Sequence, residues 1–172
     1  MTTDPVLRSC GAVFDHAAIA ARRLRDLLPL YQGVLGGEYL AGDDNTRVGY
    51  RALQLRYPDG SRIELMEPLA GSTFFDKFFE GRGEGLHHVT FKVPDIHAAL
   101  AILERQGVPT TGVYLDNPDW LEVFVHPKVA NGVLVQIAQA GRNAPLSEWG
   151  GGRTLDDLLA GRGLNGNGIP SP

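Results

Sequence analysis

Cysteine is almost missing from this chain of 172 residues: Cys10 stands alone, so no internal disulfide can form. Basic residues are outnumbered, 16 against 20 acidic ones, and a net charge of −4 argues against a general nucleic-acid binder. No apolar run approaches the roughly 20 residues of a membrane span. Met1 to Arg8 lack the basic and apolar regions of a signal peptide. The expected setting is therefore cytoplasmic, with neither membrane nor nucleic acid as partner. What remains is a chain with 43% hydrophobic residues, enough for a packed core in one domain or two small fused modules.

A repeat organises the chain. Gly85-Leu86-His87-His88-Val89-Thr90-Phe91-Lys92-Val93 reads as a strand leading into a helix near Ile96. Phe14-Asp15-His16-Ala17-Ala18-Ile19-Ala20 reads the same way, with Leu24 in the place of Ile96. His88 follows His16 by 72 positions, a spacing that suggests two similar modules.

Residues 1–11 read as a leader. The first module, 12–69, opens with a strand from Val13 to Ala21, then a helix that carries Leu24, Leu27, Leu28 and Tyr31 to a stop at Gly36-Gly37. Pro29 inside it predicts a kink. Glu38 to Ala41 is a short strand, Gly42 to Asn45 a turn, and Val48 to Tyr57 and Ser61 to Met66 are strands. A bridging helix over 70–84 gathers Phe74, Phe75, Phe78 and Phe79 on one face, capped by Ser72 or Thr73 and expected to pack on the body of the protein. The second module, 85–139, repeats the order: strand, a helix from Asp95 to Gln106, then strands over 108–114, 120–125 and 133–138. Residues 140–172 are rich in Gly, Asn and Pro and are expected to form a flexible tail.

Strand alternation singles out four polar residues. Glu64 lies between apolar Ile63 and Leu65, and Gln136 between Val135 and Ile137. Glu64 follows His16 by 48 positions, and Gln136 follows His88 by the same 48. Two equivalent pairs thus face away from the apolar sets that would cover the helices. Two imidazoles, a carboxylate and an amide oxygen suit one divalent ion among Mn, Fe, Co, Ni and Zn. The alternative is a pair of hydrogen-bonded core histidines with solvated sheet partners. His87, facing the other way, is not expected to bind metal.

These stretches, with Ile63-Glu64-Leu65-Met66-Glu67-Pro68-Leu69, Lys77 to His88 and His126-Pro127-Lys128 before Gly132 to Gln136, resemble the vicinal-oxygen-chelate superfamily, and within it the methylmalonyl-CoA epimerases. The resemblance covers about residues 13–139. It implies an α+β fold of two tandem βαβββ modules forming a curved mixed sheet around a metal-centred cleft. It implies metal ligands at His16, Glu64, His88 and Gln136. It also implies a small-molecule substrate, with acyl-CoA as one candidate; a homodimer is a candidate assembly. Two positions depart from the epimerase pattern. Gln136 stands where a carboxylate is usual, and no Glu precedes the long strand of module one near Val48. An amide accepts no proton at neutral pH. Glu64 is then the one carboxylate of the set able to move protons, and epimerisation is expected to be weak or absent. The competing readings are a glyoxalase-like lyase, an extradiol-type dioxygenase using His16, His88 and Glu64, and a non-catalytic ligand-binding or resistance protein.

Overall fold

The computed structural model describes Leu7, residues 10–141 and residues 152–162. They fall into two compact units. One holds Leu7, 10–16 and 88–141; the other holds 17–87 and 152–162. Both junctions lie inside strands: β1 (Val13–Ala20) and β5 (Gly85–Lys92) each begin in one unit and end in the other.

The unit built on 17–87 contains β2 (Glu38–Asn45), β3 (Tyr50–Arg56) and β4 (Arg62–Pro68), in the order β2-β3-β4-β1. β4 is antiparallel to β3 and parallel to β1, with Glu64 in register with both Gln54 and Ala18. One face of these strands buries Leu53, Leu55 and Leu65 with Leu24 and Leu158. The face that carries Glu64 holds Ala18, Ala20, Ala52 and Met66, which pack against Phe75 and Phe79. Phe79 lies on α1 (Asp76–Arg82) and Phe75 is its N-terminal flanking residue. The bridging segment does pack on the protein through Phe75 and Phe79, whereas Phe74 is 43% exposed. Its helix has no side-chain cap; Ser72 Oγ accepts from the Phe74 N–H at 3.2 Å instead.

The unit built on 88–141 repeats the plan. β6 (Thr110–Tyr114), β7 (Trp120–Val125) and β8 (Leu134–Ala140) join β5 in the order β5-β8-β7-β6. β8 is parallel to β5 and antiparallel to β7, with Gln136 in register with Thr90 and Phe124. α2 (Ile96–Arg105) starts at Asp95, whose carboxylate accepts from the His97 and Ala98 N–H groups at 2.9 and 3.1 Å. Such a cap stabilises a helix by about 1 kcal/mol. Ile96, Ala99 and Leu103 then bury against Val123, Val125 and Ile137. The fold class is α+β, with eight strands among the described residues in a mixed arrangement, as the alternation and the resemblance imply.

Three segments differ from expectation. The helix over 22–37 is a 3₁₀ turn, Leu24–Asp26, followed by a π-helical segment, Pro29–Val34. Pro29 has no N–H to donate, so the ladder cannot run through it; the Leu35 N–H reaches back five residues to the Leu30 carbonyl at 2.9 Å. Gly42 to Asn45 is strand, not turn. Asp44 pairs across to Arg51, and the reversal comes at 46–49, where Gly49 has φ +100°.

The third difference concerns the expected tail. Within the described residues 152–162, α3 (Leu155–Leu159) buries Leu158 completely in the core with Leu24, Leu53, Leu55 and Leu65. Arg153 Nη1 lies 3.0 Å from Asp43 Oδ1 and 3.4 Å from Asp44 Oδ2, and its carbonyl accepts from the Tyr39 hydroxyl at 2.9 Å. Gly42 makes room for this docking: a Cβ there would sit 2.6 Å from Leu158 Cδ2 and 2.7 Å from the Ala52 carbonyl oxygen. Residues 142–151 and 163–172 of the expected tail, and most of the leader, lie outside the described residues.

Candidate metal centre

Strand pleat decides which side chains gather in the unit built on 88–141. His88 and Thr90 on β5 share a face with Gln136 on β8 and with Glu122 and Phe124 on β7. The opposite face is spent on α2. His16, entering from β1, reaches the same cluster: its ring centroid lies 5.8 Å from that of His88, edge to face at 71°. Both imidazoles are buried, as is Gln136.

His16 Nδ1 lies 2.7 Å from Asp15 Oδ2, and Asp15 is itself buried. A carboxylate can only accept, so Nδ1 carries the proton and Nε2 is the nitrogen that could ligate a metal. A carboxylate behind a histidine is the arrangement that orients and strengthens metal-binding imidazoles. Lys92 Nζ lies 3.3 Å from Asp15 Oδ1 and 5.2 Å from the centre of the Trp120 ring. Its charge is thus engaged by Asp15 and Trp120. His16 Nε2 lies 3.1 Å from Thr90 Oγ1, and Thr90 donates to Gln136 Oε1. Thr90 therefore lies between His16 and Gln136, with its one hydroxyl proton directed to Gln136 Oε1.

In the unit built on 17–87, Glu64 is buried on β4 and faces the same way as Gln54. β1 carries His16 two residues before Ala18, the residue in register with Glu64. Arg62 Nη1 donates to Gln54 Oε1 at 3.3 Å. Gln54 Nε2 is buried without a hydrogen-bond partner, a costly state for an amide donor.

His87 stands apart from His88. Its ring sits among Phe74, Phe75 and Phe78, with centroid distances of 6.3, 5.2 and 4.9 Å. Burial, and secondarily the Arg82 charge, push its pKa down to about 4, so it is neutral at pH 7.

Asp15, Thr90, Glu122 and Gln54 were not singled out in the sequence. Thr90 shares the parity of His88, and Glu122 interrupts the apolar run from Trp120 to Val125; both signals were available. Asp15 carried none, because neighbouring strand residues point to opposite faces. The two donor types present, imidazole and buried carboxylate, fit a borderline divalent ion.

The sequence profile of the Glyoxalase/Bleomycin resistance protein/Dioxygenase superfamily matches residues 15–124. The chain is 32% identical over 133 residues to an ethylmalonyl-CoA/methylmalonyl-CoA epimerase of Cereibacter sphaeroides, covering 73% of this chain and 96% of that protein. The crystal structure of methylmalonyl-CoA epimerase from Mycobacterium tuberculosis superposes with a TM-score of 0.65 at 30% identity, over 74% of this chain and 87% of that one. A methylmalonyl-CoA epimerase in complex with methylmalonyl-CoA and NH4+ gives a TM-score of 0.63 at 28% identity, over 75% of this chain and 94% of that one.

Proposed function

Because the chain belongs to the glyoxalase/bleomycin resistance protein/dioxygenase superfamily, we propose that it is a metal-dependent enzyme of the methylmalonyl-CoA epimerase type. It takes an oxygenated small molecule, an acyl-CoA being the leading class, and moves a proton on the carbon beside the carbonyl. The observation that carries this reading is the buried imidazole pair, His16 and His88, with Asp15 bracing the first. His16, Glu64 and His88 have the composition of a metal set, and all three are buried. Gln136 adds an amide oxygen as the fourth ligand. The relative that is an ethylmalonyl-CoA/methylmalonyl-CoA epimerase supports the substrate class.

A divalent ion bound there supplies Lewis acidity that polarises a carbonyl oxygen and eases loss of the neighbouring proton. The protein supplies the rest. His16 and His88 would hold the ion as neutral imidazoles, Asp15 would fix the tautomer of His16, and Glu64 is the carboxylate able to carry the proton. Gln136 cannot accept one. One carboxylate reaches one face of the substrate carbon, so proton exchange outpaces inversion. Among the described residues, no helix is long and apolar enough to cross a membrane.

Calorimetric titration of methylmalonyl-CoA into metal-loaded and chelated protein tests the pairing of ion and substrate. Binding that needs the metal supports the reading. Equal binding with and without metal would favour a ligand-sequestering protein.

A further inference from the structure

Glu122 is the polar residue of β7 that neither the sequence nor the proposed reaction absorbs. It shares the face of Gln136, one register step away: Glu122 pairs with Ala138 and Phe124 with Gln136. Glu122 Oε2 accepts a hydrogen bond from Gln136 Nε2, and the same oxygen accepts from Trp120 Nε1 at 2.9 Å. The other end of the Gln136 amide accepts from Thr90 Oγ1, which lies 3.1 Å from His16 Nε2.

An amide side chain has two ends of nearly equal shape, and a half-turn about its last bond exchanges a donor for an acceptor. A carboxylate removes that ambiguity. It has no proton to give, so a reversed amide would set oxygen against oxygen at hydrogen-bond distance. We propose that Glu122 is a positioning residue that fixes the Gln136 amide with its oxygen turned toward the imidazole pair and its nitrogen turned away. The carboxylate absent at position 136 is thereby replaced by one placed a shell further out, acting through the amide. Trp120 holds Glu122 in place from the other side. This inference rests on the metal reading above for its consequence, though not for its geometry: orientation makes Gln136 Oε1 a ligand.

Two measurements test it separately. The first needs no metal. In ¹⁵N NMR of the full chain, the Gln136 side-chain amide, assigned by its loss in Gln136→Ala, should be protected from solvent exchange and lose that protection in Glu122→Gln. Unchanged exchange in Glu122→Gln overturns the proposal. The second is titration with Co(II), followed by calorimetry and visible absorption. Glu122→Gln should weaken binding about 10- to 100-fold, the usual cost of losing an outer-shell partner. Placed on Gln136→Ala, the same change should add nothing, because there is no amide left to orient. An equal loss in both backgrounds means that Glu122 merely supports the strand, and overturns the proposal. The exchanged pair Glu122→Gln with Gln136→Glu restores one carboxylate and one amide in reversed order and should recover Co(II) binding. Gln136→Glu alone sets two carboxylates against each other and should gain less than the exchanged pair; a greater gain contradicts the inference. A wild type that shows the protected amide yet binds no Co(II) would sink the metal reading and leave the orientation standing.

Discussion

Asp15 and His16, neighbours in β1, are joined by a buried hydrogen bond of 2.7 Å between Oδ2 and Nδ1. Adjacent strand residues normally look to opposite faces, so this contact orients the imidazole from behind. Asp15→Asn keeps the shape but removes the charge. It should lower Co(II) affinity about 10- to 100-fold with the fold intact by circular dichroism. Unchanged affinity would remove Asp15 from the site.

His87 and His88 provide an internal contrast. His88→Ala should abolish metal loading as read by elemental analysis. His87→Ala should leave loading near the wild-type level and lower the thermal midpoint, because it empties a space among Phe74, Phe75 and Phe78. Equal metal content in the two variants would contradict the assignment.

Leu158 ties the segment at 152–162 to the core, so removing it should be felt throughout the unit. Leu158→Ala should cost about 2–5 kcal/mol in denaturant unfolding, the range for a buried leucine. A chain ending near Ala140 should melt lower still. A midpoint unchanged by truncation would mean that the docking contributes nothing.

The same docking predicts acid sensitivity. Burial alone would push the Asp44 carboxyl up, but hydrogen bonds and charge from Arg51, and then Arg153, hold it below the usual carboxylate range. Its folded-state pKa is thus lower than its unfolded value of about 3.9. The stabilisation it supplies is full above that value and is lost as pH falls through the folded pKa. Asp44→Asn should therefore reduce stability at pH 7 and narrow the gap to wild type toward pH 3, measured by urea midpoints. A gap that widens on acidification would contradict the sign.

The repeated strand-helix-strand plan was legible because its signals are local. A period of two marks β1, β4, β5 and β8, and Asp95 announces the start of α2. The equal spacing of His16 to Glu64 and of His88 to Gln136 reflects the repeated topology: each pair sits on parallel neighbouring strands. What stayed hidden depends on partners distant in the chain. Gly42 reads as a turn residue, yet a Cβ there would collide with both the Ala52 carbonyl oxygen and Leu158. Thr154 to Leu159 could be read as a turn of helix from the sequence, but the Gly-rich surroundings give no sign of docking, and only the core that Leu158 fills reveals its role. Glu122 means little until β7 lies beside β8.

The most direct measurement is deuterium incorporation from D₂O into methylmalonyl-CoA, read by mass spectrometry, with metal content measured on each sample. Metal-loaded wild type should exchange the proton beside the carbonyl faster than it inverts the centre. Chelation should stop the exchange, and Glu64→Gln at matched metal content should slow it at least about 10²-fold, the lower range for general acid–base catalysis. Exchange that survives chelation, or that is untouched by Glu64→Gln, would contradict a metal-dependent proton transfer through Glu64.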